Sequence, residues 1–291
     1  MRQSSVTVRR LLGTFVAAIL NLVIVANSGM ADEQKAAAQA MNQTEEWKSH
    51  LQSASRAFKD GRSREAEREY NKALKGARKL GKNGPEVAEC LCEMADFYLS
   101  LEKYKKARKK RGSALKIEEK VYGAESPEVA ASLYFIADAL VRDKIPSATS
   151  ERISSRYGDK YDKIWTECQK PLEFLNRAQT IQAKSVGTTP LDYSKTLVLK
   201  VALEVERMHN GAVSVGRGFQ QALGASVLLG DLTLEELESL YLEECDRLRP
   251  MCDSALAIQQ AQLEPNHPDL VRAQSVHTKL LKEIEFLRGQ E

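Results

Sequence analysis

Residues 84–98 read GPEVAECLCEMADFY and residues 126–140 read SPEVAASLYFIADAL. Their prolines, Pro85 and Pro127, stand 42 positions apart, and Val87/Val129, Ala88/Ala130, Leu91/Leu133, Met94/Ile136 and Ala95/Ala137 follow in register. These apolar positions recur at helical spacing, so each stretch is an amphipathic helix. A glycine or small polar residue before a proline at the first helical position is a start signal. Each of these A helices is preceded by a second periodic segment, from Arg64 and from Tyr104, in which Ala66/Ala107 and Ala73-Leu74/Ala114-Leu115 match. These B helices end near Gly81 and Gly123, which suit C-terminal caps. The fold class is therefore all-α, a helix-turn-helix repeat solenoid.

The pattern returns in weaker form twice. FLNRAQTIQAKSVGTTPLDYSKTL places Ala178 and Ile181 like Ala114 and Ile117, and its A helix is shifted by one residue relative to Pro190. RPMCDSALAIQQAQLEPNHPDLVRA repeats Ala255-Leu256, Ile258 and Pro268. The longer intervals between these prolines leave two insertions. The expected organisation is 44–141 repeats, 142–160 insertion, 161–209 degenerate repeat, 210–231 glycine-rich insertion and 232–291 last repeat with a capping helix. That makes about three to four hairpins. Pro171 and Pro250 fall inside segments long enough to be kinked helices.

GAESPEVAASLYFIADAL and SALAIQQAQLEPNHPDLVRA resemble tetratricopeptide repeats of the kinesin light chain type, whose unit is longer than the usual length of about 34 residues. The family's B helix often carries a tyrosine ten residues before its Ala-Leu and a proline five before it. Tyr104 fills the first place and Pro250 the second, while Cys168 and Cys245 stand where that tyrosine would be. The resemblance covers roughly residues 44–291, with two clear units and two degenerate ones. It implies a tetratricopeptide-like right-handed superhelix that binds a protein or peptide partner in a concave groove lined by A helices, without a motor-cargo role. By the family's pattern the groove positions are the fourth, seventh and eleventh residues after the A-helix proline. These are Glu89, Cys92 and Asp96, then Ala131, Tyr134 and Asp138, then, with the one-residue shift, Lys195, Val198 and Ala202. Glu89, Asp96, Asp138 and Tyr134 together would favour a basic or aromatic-bearing partner. The competing reading makes them solvated residues of each polar helix face.

A basic start, an apolar run of 16 residues from Leu11 to Ala26, and a small-residue tail ending at Ala31 read as a secretory signal peptide. The expectation is export, periplasmic or secreted, after cleavage near Ala31, with residues 32–43 a linker or leading helix. The alternative is a retained N-terminal anchor and a membrane-tethered structural or assembly subunit. The chain has 291 residues with 43 Lys+Arg and 40 Asp+Glu; removal of residues 1–31 takes Arg2, Arg9 and Arg10 and no acid. A mature chain without net charge does not favour nucleic acid as a partner. The sequence sets no oligomeric state.

The run KYKKARKKR from Lys103 reads as a solvated outer helix face. The five glycines of residues 211–230 read as a loop, because the phosphate-loop spacing fails at Arg217-Gly218. No cofactor and no metal is expected. The five cysteines, Cys90, Cys92, Cys168, Cys245 and Cys252, include no CxxC. On helices Cys90 and Cys92 diverge and Cys245 and Cys252 lie too far apart to bond, so they read as small buried side chains. The four histidines show no ligand spacing, and His267 before Pro268 reads as a helix cap. No serine sits in GxSxG, and Glu89 and Glu93 beside Cys92 work against a thiolate. Catalysis is not expected.

Overall fold

A computed structural model describes residues 46–145, 161–185, 188–218 and 234–289. The expected signal peptide, the 32–43 segment and most of both insertions lie outside these residues. The described residues form nine helices: α1 (46–59), α2 (Ser63–Leu80), α3 (Pro85–Ser100), α4 (Tyr104–Val121), α5 (Pro127–Lys144), α6 (Tyr161–Lys184), α7 (Pro190–Gly218), α8 (Leu234–Gln262) and α9 (Pro268–Arg288). No strand occurs among them. Odd-numbered helices are the A helices and even-numbered ones the B helices. The chain divides into two compact units, 1–90 and 91–291, with the boundary inside α3.

Three A helices start as the sequence dictates. Ser126 caps α5, its Oγ accepting from the Val129 N–H at 3.4 Å, with Pro127 at the first helical position. Thr189 caps α7, its Oγ1 accepting from the Asp192 N–H at 3.1 Å. His267 caps α9, its Nδ1 accepting from the Asp269 N–H at 3.2 Å. Each cap satisfies an amide that the first helical turn leaves without an intrahelical partner. Of the two expected glycine caps, Gly123 takes the left-handed region at φ 93, whereas Gly81 is extended at φ −177. The A-to-B turns repeat as well. Gly61 N–H donates to Phe58 O and Arg62 N–H to Ala57 O, and Glu102 N–H to Leu99 O and Lys103 N–H to Tyr98 O.

In the first unit, α1 lies against α2 through Trp47 and Gly76. Trp47 is 1% exposed, and a Cβ on Gly76 would stand 2.9 Å from its Cβ, so only glycine admits this approach. In the second unit each helix packs on its neighbours in the chain from α4 onward, apart from interruptions in the described chain, and α5 touches α7 as α7 touches α9. Contacts between helices two apart mark a layer of A helices backed by B helices, as in a stacked array of hairpins. Ala130, Leu133, Ala178 and Ile181 join α5 to α6. Val141, Cys168, Leu175, Leu199 and Leu203 join α5, α6 and α7. Val201, Leu248, Cys252, Val276, Leu280 and Ile284 join α7, α8 and α9.

Two segment expectations change. Helix α7 continues to Gly218, so residues 211–218 are helix rather than loop. Helix α5 runs to Lys144, past the expected start of the first insertion. Pro171 and Pro250 lie inside α6 and α8 without ending them. All five cysteines are free; Cys90, Cys168, Cys245 and Cys252 are fully buried and Cys92 is half-buried. No helix among the described residues is long and apolar enough to cross a membrane.

Candidate functional site

The positions expected to line a groove fall on α3, α5 and α7, and the structure divides them into two kinds. On α5, Asp138 is only 4% exposed. Its Oδ2 accepts from Arg142 Nε at 2.8 Å and its Oδ1 from Arg272 Nη1, on α9, at 2.9 Å. Lys195 on α7 pairs with Asp269 Oδ2 at 3.1 Å, again on α9. Tyr134 lies half-buried against this group, and burial, reinforced by Asp138, pushes its hydroxyl pKa up. Val198 and Ala202 are buried in the core shared with α8 and α9. This stretch of the A-helix layer therefore neutralises its own charges.

The end formed by α3, α4 and α5 is different. Cys92 donates to Glu118 Oε1 on α4 at 3.2 Å, and Ser132 on α5 donates to the other oxygen. Arg111 Nε donates to Ser132 Oγ at 2.9 Å, and its guanidinium lies 5.0 Å from the centre of the Phe135 ring. Burial, then Glu118, pushes the Cys92 thiol up to about 12, and the opposing pull of Arg111 is too weak to reverse it. The thiol stays protonated and donates; it is not a thiolate nucleophile. Beyond this network Glu93 and Asp96 reach solvent on α3, and neither has an ion-pair partner among the described residues. Desolvation raises the Asp96 pKa, Glu93 adds to it, and Arg111 opposes both. Glu89 is exposed on the first half of α3.

Arg111, Glu118, Ser132, Asp269 and Arg272 were not among the sequence candidates. Arg272 is the fourth residue after Pro268, so the positional rule applied to the last repeat would have found it. Arg111 belongs to the basic run read as a solvated face. That reading holds for Lys105 and Lys109, but Arg108 pairs with Asp143 at 2.8 Å and Arg111 turns inward. Among the described residues no group of three or more His, Cys, Asp or Glu could hold a metal ion.

No family model matches the chain, and no curated protein matches it. Solved structures do. A Podosopora anserina protein described as a kinesin light chain of nearly identical TPR-like repeats is 17% identical, with a TM-score of 0.40 over 84% of this chain and 95% of that one. A single-substitution variant of that protein gives 16% identity and a TM-score of 0.42 over 84% and 94%. BtubC (BKLC) from P. vanneervenii is 20% identical, with a TM-score of 0.30 over 62% and 80%. The chain is thus similar to kinesin light chain-like repeat proteins, and the hairpin-repeat architecture stands on the helix packing itself.

Proposed function

We propose that the chain is a non-catalytic protein-binding repeat module, exported from the cytoplasm, whose A-helix layer takes a basic or aromatic-bearing segment of a protein partner at its α3–α5 end. The observation that carries this reading is a contrast between carboxylates. Asp138 is buried between two arginines of its own chain, while Glu93 and Asp96 stand without ion-pair partners among the described residues. Keeping a partly desolvated carboxylate such as Asp96 unpaired costs stability, and a partner's cation would offset that cost. Arg111 over Phe135 and the half-exposed Cys92 give the same place a firm, partly apolar floor. Repeat arrays recognise extended segments through side chains from successive units, which suits such a strip.

Capture from the host's extracytoplasmic fraction tests this reading. Wild-type protein is compared with Glu93→Lys/Asp96→Lys, which reverses the open charge and leaves Asp138 and its fold-bearing pairs intact. A protein bound by the wild type and lost from the folded variant supports the α3–α5 end. Equal capture by both proteins removes it. Sequencing the N-terminus of the native protein separates cleavage near Ala31 from a retained anchor.

A further inference from the structure

We infer that α4 carries a second interaction surface, distinct from the α3–α5 end: a lysine stripe that docks the protein on an anionic lipid bilayer. Lys105, Lys109, Lys116 and Lys120 are all exposed and follow one another at intervals that keep them on one helix face. Fifteen residues of helix make the line about 22 Å long. None of the four has an ion-pair partner among the described residues. The acids of α4 do not neutralise the line: Glu118 is buried and accepts from Ser132 and Cys92, and Glu119 pairs with Arg177 at 2.7 Å. Gly112 lies midway along the same face, and a Cβ there would meet only open space, so the helix surface between the two lysine pairs is bare.

The residue types select the partner class. Arginines able to grip a carboxylate in two-pronged fashion are turned inward in α4, as Arg108 and Arg111. No aromatic side chains alternate with the lysines to stack on bases. Flexible lysines on a line suit a diffuse anionic surface. Among the described side chains, the other B helices of this unit do not share the feature. Helix α6 exposes Glu173 beside Lys170 and Arg177, and α8 exposes Glu243, Asp246 and Asp253 beside Arg247 and Arg249.

Vesicle flotation of the full chain tests the surface, with neutral phosphatidylcholine vesicles compared with the same vesicles containing phosphatidylglycerol. The variants are Lys109→Gln/Lys116→Gln on the stripe and Lys170→Gln/Lys184→Gln on α6, which make the same change in net charge. The expected result is tighter binding to anionic vesicles that weakens with salt. The stripe variant should lose about fivefold per lysine, while the α6 variant keeps wild-type binding. A retained apolar N-terminus would bind both vesicle types equally and leave this difference visible. Equal losses in both variants, or no preference for anionic vesicles, would overturn the inference. So would retention on duplex DNA or an acidic protein without vesicle binding.

Discussion

Glu102 occupies the left-handed region at φ 57 in the α3–α4 turn, where its counterpart in the α1–α2 turn is Gly61 at φ 76. The same two amide bonds close both turns, so the backbone form belongs to the repeat and not to the residue. A side chain at such a φ is strained by about 1 kcal/mol or more. Glu102→Gly should therefore raise stability by about 0.5–1 kcal/mol, a rise in melting temperature of roughly 1–4 °C. Gly61→Ala should lower it by about 1 kcal/mol. Nothing lies within 4 Å of a Cβ at Gly61, so that loss would be backbone strain alone. Thermal unfolding followed by circular dichroism measures both. Asp96 provides a second test. Its folded pKa is raised, chiefly by desolvation, so its ionised form is the penalised one. The penalty is absent where the carboxyl is protonated in both states, grows as pH rises through the raised folded value, and is constant above it. Asp96→Asn should thus stabilise the protein at pH 7, lose that advantage by about pH 3, and weaken partner capture. Equal melting temperatures for the two proteins at pH 7 would contradict this account of the site.

Between elements, the decisive pair is Asp138 and Arg272, which ties α5 to α9 across 134 positions of sequence. Removing one member of a buried pair leaves an uncompensated charge at a cost of about 3–5 kcal/mol, while replacing both by apolar groups is close to neutral. Asp138→Asn should lower the melting temperature by about 6 °C or more. Asp138→Leu/Arg272→Leu should recover most of that loss, and a double-mutant cycle separates the two effects. The helices themselves were legible in the sequence, because Pro85/Pro127, the Ala-Leu pairs and the 42-residue step fix their starts, faces and spacing. The burial of Cys168 and Cys245 was legible from the resemblance, since both stand where the family's B helix carries its tyrosine. The fate of the groove positions was not. Asp96 and Asp138 occupy the same repeat position, and Asp138 is closed by Arg142, where the repeat of Asp96 has Ser100, and by Arg272 arriving from a distant helix, which no local reading anticipates. Helix α7 outran its reading because the glycines at 211, 216 and 218 lower helix propensity without stopping a helix already under way.

For the second unit as a whole, stability is a sum of contacts between neighbouring helices, so removing one helix uncovers the pair it packs on. Helix α9 completes the α7–α8 hairpin by burying Leu270, Val276, Leu280, Ile284 and Leu287. Its opposite side carries Val271, Gln274, Ser275, Thr278 and Lys282 along a shallow groove, a largely polar face suited to water. The large apolar side chains of α9 each contribute about 1.5–3 kcal/mol on burial. Together they reach the order of 10 kcal/mol, comparable with the whole stability of a typical domain of about 5–15 kcal/mol. Deleting residues 263–291 should therefore unfold more than the helix removed. Hydrogen exchange should show protection lost throughout α7 and α8, where Val201, Val205, Leu248 and Cys252 would be uncovered. Protection should persist in α4, whose core with Leu115, Leu133 and Ile181 does not include α9, and fall in α5 around Asp138, which loses Arg272. Val271→Lys on the open face of α9 should change stability by less than about 0.5 kcal/mol, since no core lies beneath it. Undiminished protection of α7 and α8 in the truncated chain would mean that the hairpin folds alone and that α9 adds nothing to its stability.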